Sequence, residues 1–267
     1  GGFYRTWVYV HEARRCGAAI HPPCVNKSTY KTTIYGSDVY LGFIHIQSIE
    51  EKIARSVEVI RSEGGPFTSL NDFVERVCPG LEQLILLIRT GAFRFTGKKK
   101  AVLLWEAHMA INGTRHENIR PLFSQPVRSF NLPDLVHDSL DDAYDEIELI
   151  GFPVSISWFD MLETSFRGEI QANDMLSHCG KKVRMVGHLV NIKYIKTIKG
   201  EWMNFGCFID PEGNFFDTTH FSQSLSKYPF KGSGTYLILG KVVEEFGYPS
   251  LEAEKLAKLP VKPDKRY

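Results

Sequence analysis

Residues 201–219 read Glu-Trp-Met-Asn-Phe-Gly-Cys-Phe-Ile-Asp-Pro-Glu-Gly-Asn-Phe-Phe-Asp-Thr-Thr, two strand-like runs on either side of an Asp-Pro-Glu-Gly turn. Aromatic and β-branched residues bounded by turn residues are the mark of a hairpin. In the first run Met203, Phe205, Cys207 and Ile209 alternate. That spacing predicts that these four face a core, leaving Trp202, Asn204, Gly206 and Phe208 on the other face. Working outward, strand periodicity predicts strands near 183–190, 192–198, 201–209, 214–219, 235–245 and 249–256. Turns fall at Lys199-Gly200, Asp210–Gly213 and Phe246-Gly247, and one short helix is expected near Phe221–Lys227. Five or six strands with a helix before the last pair suit a small Greek-key barrel of OB type. An SH3-like barrel or an open sandwich would give a similar string.

Upstream the period changes to that of helices. Ser48-Ile49-Glu50-Glu51 has the form of a capping box, in which Ser and Glu side chains satisfy free N–H groups. Ile49, Ile53, Val57 and Ile60 follow on one face, and Gly64-Gly65-Pro66 stops the helix. Ser69 with Asp72 marks a second start, Leu81–Ile88 a third helix ending at Thr90-Gly91, and about Lys98 to Ala110 a fourth. Residues 112–135 lose periodicity and read as a linker. Residues 134–148 hold seven acidic residues and no Lys or Arg. They predict a helix capped by Ser139, with Leu140, Tyr144 and Ile147 inward and the acids on a solvated face. The expected fold is α+β and multidomain, an all-α module followed by a C-terminal OB-type β-barrel.

A chain of 267 residues has room for about two domains of ~100–150 residues. Thirty-two basic against 31 acidic residues leave +1, so any electrostatic attraction must be local. No run of ~18 apolar residues occurs, which predicts no membrane-spanning helix and no membrane partner. Five scattered cysteines without a Cys-x-x-Cys pair suit a reducing, cytoplasmic setting. The opening Gly1-Gly2-Phe3-Tyr4 has neither an initiator Met nor the pattern of a signal peptide, and reads as a cut inside a longer chain.

No catalytic constellation emerges. His11-Glu12-Ala13-Arg14-Arg15 lacks the second His of a zinc-protease helix, and His11, Cys16, His21 and Cys24 fit no common zinc spacing. Gly91 to Lys99 has its glycines too far apart for a phosphate loop and no Ser/Thr after the Lys. No metal site or cofactor is expected within the segment. The basic features say more. Between Met175 and Gly200 there is no acid, while Arg184, Lys193, Lys196 and Lys199 are interleaved with, or followed by, Tyr194, Trp202 and Phe208. Cations attract phosphates and exposed rings stack on unpaired bases, so these residues are the candidate nucleic-acid face. Arg94, Lys98 and Lys99, flanked by Arg89 and Lys100, form a second candidate, at a turn where backbone N–H groups would meet a DNA phosphate.

Several strings in order carry a family resemblance. They are Gly2-Phe3-Tyr4, Glu12-Ala13-Arg14-Arg15-x-Gly17, and Pro22-Pro23-Cys24-Val25-Asn26-x-Ser28. Next come Val39-Tyr40-Leu41-Gly42-Phe43, and Gly65-Pro66-Phe67-x-Ser69-Leu70-x-Asp72-Phe73 between Arg61 and Arg76. Leu84-Ile85, Gly91-Ala92-Phe93 and Leu132-Pro133-Asp134-Leu135 continue the series. Glu146-x-Glu148-Leu149-x-Gly151-Phe152-Pro153-x-Ser155 and Val183-Arg184-Met185-Val186-Gly187 close it. Over about residues 2–257 the chain resembles the C-terminal segment of the bacterial DNA polymerase III alpha subunit (C-family DNA polymerases), either replicative or a short error-prone paralogue.

The resemblance implies a parent enzyme that performs template-directed DNA synthesis, with its Mg²⁺-binding palm aspartates upstream of this segment. The segment itself would be inactive and would hold DNA and dock the sliding clamp. It implies five regions: the end of the fingers (1–35), a helix-hairpin-helix module (36–111), a linker with a clamp peptide (112–138), connecting helices (139–180) and the OB domain (181–259). Primer-template and single-stranded DNA, the clamp, and other holoenzyme or mutasome subunits would be the partners. Leu122 and Phe123 would be the clamp anchors, with Ile119 where the family has Gln, and Gln125 to Phe130 an alternative. The family's Gly-x-Gly hairpin is matched by Ser48-Ile49-Glu50, which points to packing there rather than phosphate binding. The competing reading is a stand-alone single-stranded-DNA-binding OB protein; a third is a barrel used for protein docking.

Overall fold

A computed structural model of the chain describes residues 4–114, 138–198 and 200–266. Leu122, Phe123 and Lys199 lie outside the described residues. In chain order the elements are α1 (Thr6–Arg15), β1 (Ala19–His21), β2 (Thr33–Tyr35), β3 (Asp38–Tyr40), α2 (Glu51–Gly64), α3 (Leu70–Val77), α4 (Leu81–Arg89) and α5 (Lys100–Thr114). Then follow α6 (Ser139–Ile150), β4 (Lys182–Lys196), β5 (Trp202–Ile209), β6 (Phe215–His220), α7 (Ser222–Lys227), β7 (Thr235–Glu245) and β8 (Tyr248–Lys258). The chain divides into two compact units, Cys16–Ile156 with Asp264–Tyr267, and Gly1–Arg15 with Ser157–Pro263. The stretch expected as the end of the fingers is thus shared between them. Among the described residues no helix is long and apolar enough to cross a membrane.

In the helical unit the strings that carried the resemblance are structural. Asn26 donates to the Phe67 carbonyl and accepts from the Phe67 N–H, both at 2.8 Å, mimicking a strand pair. The buried Ser28 hydroxyl donates to the Leu41 carbonyl at 2.7 Å and accepts from Cys24 N–H at 2.9 Å. Arg61 donates to the carbonyls of Val25 and Ser28, and Arg76 to those of Ile60 and Gly65. A side chain at Gly42 would put its Cβ 2.3 Å from the Lys31 carbonyl carbon, so only glycine fits. Around these bonds Phe43, Val57, Phe67, Phe73, Leu84, Leu87 and Phe93 form one core.

Two helix starts differ from expectation. Ser69 caps α3, accepting from the Asp72 N–H as predicted. Ser48 does not cap α2. Its φ is +62°, the residue before the helix is Glu50, and the amide of Gln83 takes over: it accepts from Glu50 N–H at 2.8 Å and donates to the Ser48 carbonyl at 3.2 Å. A side-chain amide from a distant helix replaces the local box because Gln83 is packed beside the turn. In α6 the cap is Asp138, accepting from Leu140 N–H, rather than Ser139.

The acidic face of α6 is only partly solvated: Glu148 is exposed, but two of its carboxylates are buried. Asp145 is 2% and Glu146 0% exposed. Asp145 accepts from Arg89 Nε at 2.8 Å, and from Lys100 Nζ and Arg266 Nη1 at 2.5 Å each. Burial alone would raise its pKa, but these three cations outweigh it and hold the carboxyl below the usual carboxylate range. Glu146 accepts from the backbone of Val154 and Ser155 and from Arg94, so it shapes the turn after α6. Charge complementarity from residues 45 to 121 positions away in the chain buries carboxylates that the local composition assigned to water.

In the other unit β4–β8 close into a barrel in the order β4-β5-β6-β8-β7, the connectivity of an OB fold with its helix between the third and fourth strands. The two strands expected at 183–190 and 192–198 are one bent strand, β4. Its first half pairs with β7, its second half with β5, and a bulge between Leu189 and Asn191 turns the corner. A Cβ at Gly187 would lie 2.6 Å from the Phe216 ring, so the bend needs glycine.

The face assignment of β5 is inverted. Phe208 is 0% exposed and stacks on Phe216 at 5.6 Å, whereas Phe205 faces outward. The interior positions of β5 are Asn204, Gly206 and Phe208, and a Cβ at Gly206 would meet the Phe208 ring at 2.8 Å. One large ring among small neighbours fills the tapering barrel. Hydrophobicity alone therefore pointed the strand the wrong way.

Helix α1 packs on this barrel. Trp158 lies flat on His188 at 4.4 Å, and Trp7 meets His188 edge-on at 5.3 Å. Burial pushes His188 down to about 3. Unfolded, a histidine takes its proton near ~6.5. The stability this group contributes is therefore complete above pH ~6.5 and is lost as pH falls toward 3. Replacing His188 with Gln should flatten the acid limb of a stability–pH profile between those values. Phe208→Ala should cost about 3–5 kcal/mol in denaturant unfolding, the range for a buried aromatic; a change under ~0.5 would restore the outward assignment.

Candidate nucleic-acid interface

Strands β4 and β5 form a two-stranded arm whose register decides which side chains act together. Tyr194 pairs with Asn204 and Lys196 with Trp202, so these four share one face; Lys193 pairs with Phe205 on the other. Tyr194 is 63% and Trp202 57% exposed, and Lys196 Nζ lies 6.0 Å from the Trp202 ring centroid. The arm thus presents two rings and a cation on a common face. Among the described residues Lys193 and Lys196 form no ion pair.

Barrel closure adds residues that no linear reading groups with this face. Burial raises the Tyr236 phenol, and the nearby Tyr194 adds to the effect. The Tyr236 hydroxyl accepts from Lys231 N–H at 2.9 Å, and Lys258 Nζ donates to the Lys231 carbonyl at 3.4 Å. Lys231 and Lys258 therefore flank the Tyr236 phenol, on which Tyr194 also acts. They come from the loop before β7 and the end of β8, and only the closed barrel brings them together.

Other predicted site residues are engaged elsewhere. Arg184 is held by Glu169 at 2.6 Å and covers the Phe166 ring at 5.3 Å. Phe208, expected as a stacking platform, is interior and has no face to offer a base. In the helical unit Arg94 pairs with Glu146 at 3.2 Å and Lys98 with Glu106 at 2.5 Å. Lys99 lies before α5, its carbonyl accepting from Val102 and Leu103. Arg89 and Lys100 bind Asp145, so this second basic stretch is largely neutralised by carboxylates.

The outer side of β5 and β6 carries features that the sequence reading treated as core or turn. Phe205 and Phe215 line a groove of about 880 Å³ together with Tyr248 and Phe246. Phe246 sits at the tip of the β7–β8 turn with φ +52° and is 100% exposed. A large apolar residue in a left-handed turn position was the signal available for it.

The chain thus joins a helical unit to an OB-type barrel. The helix-hairpin-helix motif family matches residues 17–103. The error-prone DNA polymerase of Mycobacterium tuberculosis is 36% identical over 114 residues, 42% of this chain and 10% of that protein. The DNA polymerase III subunit alpha of Aquifex aeolicus is 26% identical over 210 residues, 76% of this chain and 17% of its own length. The chain is similar to part of error-prone DNA polymerases and DNA polymerase III alpha subunits, and spans between a tenth and a sixth of the length of these relatives. Among solved structures, the single-stranded DNA binding protein of Thermus aquaticus aligns over 32% of this chain and 42% of its own, with 17% identity and a TM-score of 0.29.

Within the groove, burial and the adjacent Asp217 carboxylate push the Cys207 thiol up to about 12. The thiolate is the reactive form, so Cys207 should resist alkylation at pH 8. The exposed Cys16, Cys78 and Cys179 should label first in a timed iodoacetamide reaction read by peptide mass spectrometry.

Proposed function

We propose that this chain is the DNA-holding segment of a C-family DNA polymerase, and that its barrel engages single-stranded template through the β4–β5 arm. Homology to the polymerases supports the first part. The observation that carries the second is the shared face of Tyr194, Lys196 and Trp202. Two exposed rings offer stacking surfaces for successive unpaired bases, each worth about 1–3 kcal/mol. Lys196, with Lys231 and Lys258 beside the Tyr236 phenol, supplies the positive charge that displaces counterions from the phosphates. Asn204 lies on the same face but is buried, so it supports the arm from below.

In this reading nucleotidyl transfer and its Mg²⁺ belong to the palm of the parent polymerase, and the segment works in the cytoplasm. The helical unit contributes shape more than charge, since its arginines cap carbonyls or meet carboxylates. Clamp docking through Leu122 and Phe123 is the corresponding proposal for the linker. Alanine at both positions should abolish clamp capture in a pull-down, and unchanged capture would remove the linker from that role.

Fluorescence anisotropy of a labelled 20-mer of deoxythymidine with the full chain tests the DNA reading. Micromolar binding that weakens with salt is expected. Trp202→Ala and Lys196→Ala should each weaken it at least about fivefold, while Arg184→Ala leaves it within twofold. Absence of binding at low salt, or equal losses for all three variants, would overturn it.

A further inference from the structure

The groove on the outer side of β5 and β6 has the wrong charge for DNA. Its aromatic walls, Phe205, Phe215, Phe246 and Tyr248, are rimmed by the carboxylates of Glu12, Asp217 and Glu245, and no Lys or Arg lines it among the described residues. Glu12 alone is partly offset, by Arg15 at 3.1 Å. A phosphate backbone laid there would face like charge at close range. Burial first, and the Asp217 carboxylate beside it, raise the Cys207 thiol within the same groove.

The floor is apolar and preformed. Phe215 is gripped by α1, with His11 edge-on at 5.9 Å and Arg15 over its ring at 5.7 Å. His11 Nε2 also lies 2.8 Å from the Gly213 carbonyl, tying the helix to the β5–β6 turn. At the opposite wall the Phe246 turn is braced by Gly247 N–H donating to Glu244 Oε1 at 3.2 Å. A fully exposed ring held in a left-handed turn has no use within the barrel core. An apolar anchor set between cations matches such a cleft in both shape and sign.

We infer that this groove docks a cationic peptide segment of a partner protein, an apolar side chain entering between the aromatic walls and flanking Lys or Arg meeting Asp217 and Glu245. The peptide and the DNA arm are on different faces of the barrel, so the inference stands apart from the DNA reading.

Amide chemical shifts of the isotope-labelled full chain provide the test. The probe is the capped peptide Ala-Lys-Leu-Phe-Lys-Ala, compared with its Glu-for-Lys counterpart and with a 10-mer of deoxythymidine. The cationic peptide should shift the amides of Phe205, Asp217, Phe246 and Tyr248 with submillimolar affinity, and the acidic one should bind at least tenfold more weakly. Combining Asp217→Asn with Glu245→Gln should weaken the peptide about tenfold and leave oligonucleotide binding unchanged. Phe246→Ala, at a fully exposed site, should weaken it without unfolding the chain. The inference is overturned by equal binding of both peptides or by no shift with either. Oligonucleotide shifts confined to the groove, or groove shifts that depend on protein concentration alone, would also overturn it.

Discussion

The barrel depends on one strand doing the work of two. Because β4 pairs with β7 along its first half and β5 along its second, the sheet has no free edge at that point and closes on itself. The corner sits at Gly187 and the bulge before Asn191, where a side chain would strike Phe216. Beyond the corner the strand follows β5 to Lys196, two pairs past Asn204, where β5 leaves β6. That surplus length is the arm, so the same bend that closes the core also creates the exposed rings of Tyr194 and Trp202. Closure and site are one geometric event.

In the helical unit the organising force is different. Buried carboxylates on α6 gather arginines and lysines from α4, the segment before α5, the start of α5 and the chain's last residues. Ions withdrawn from water in this way are favourable only when each has a partner with good geometry. The result is a unit rich in basic residues that presents little unbalanced positive charge on that side. The proposed nucleic-acid role therefore draws on the cations of the barrel arm.

Much of this was legible in the residues. Helix starts at Ser69, the stops at Gly65 and Gly91, the order of strands and the single helix at 222–227 all follow from local turn and periodicity signals. What escaped is what depends on distant partners. Gln83 displaces Ser48 as the cap of α2 only because the fold brings it there. Asp145 and Glu146 look solvated until Arg89, Arg94 and Lys100 arrive. Strand β5 has Gly and Asn inside and Phe and Cys outside, so its alternation carries the wrong sign for a packed barrel. In the proposed site, the shared face of Tyr194, Lys196 and Trp202 follows from their being near neighbours across one turn, whereas Lys231 and Lys258 are added only by closure.

The partition of the chain has a consequence for how the protein is made. Neither compact unit is a continuous stretch: the barrel unit includes α1, and the helical unit includes residues after 263. Trp7 and His11 leave the ribosome long before Trp158, His188 and Gly213, the groups they pack on. Until then α1 is an amphipathic helix without its receptor, while the intervening helices can assemble behind it. Contacts of such sequence separation are slow to form and leave apolar surface open in the interval. Helix α1 is thus synthesised before the barrel it packs on and is among the last elements of that unit to be secured, and a cut anywhere between residues 16 and 156 would leave the barrel to fold without the helix that covers its side.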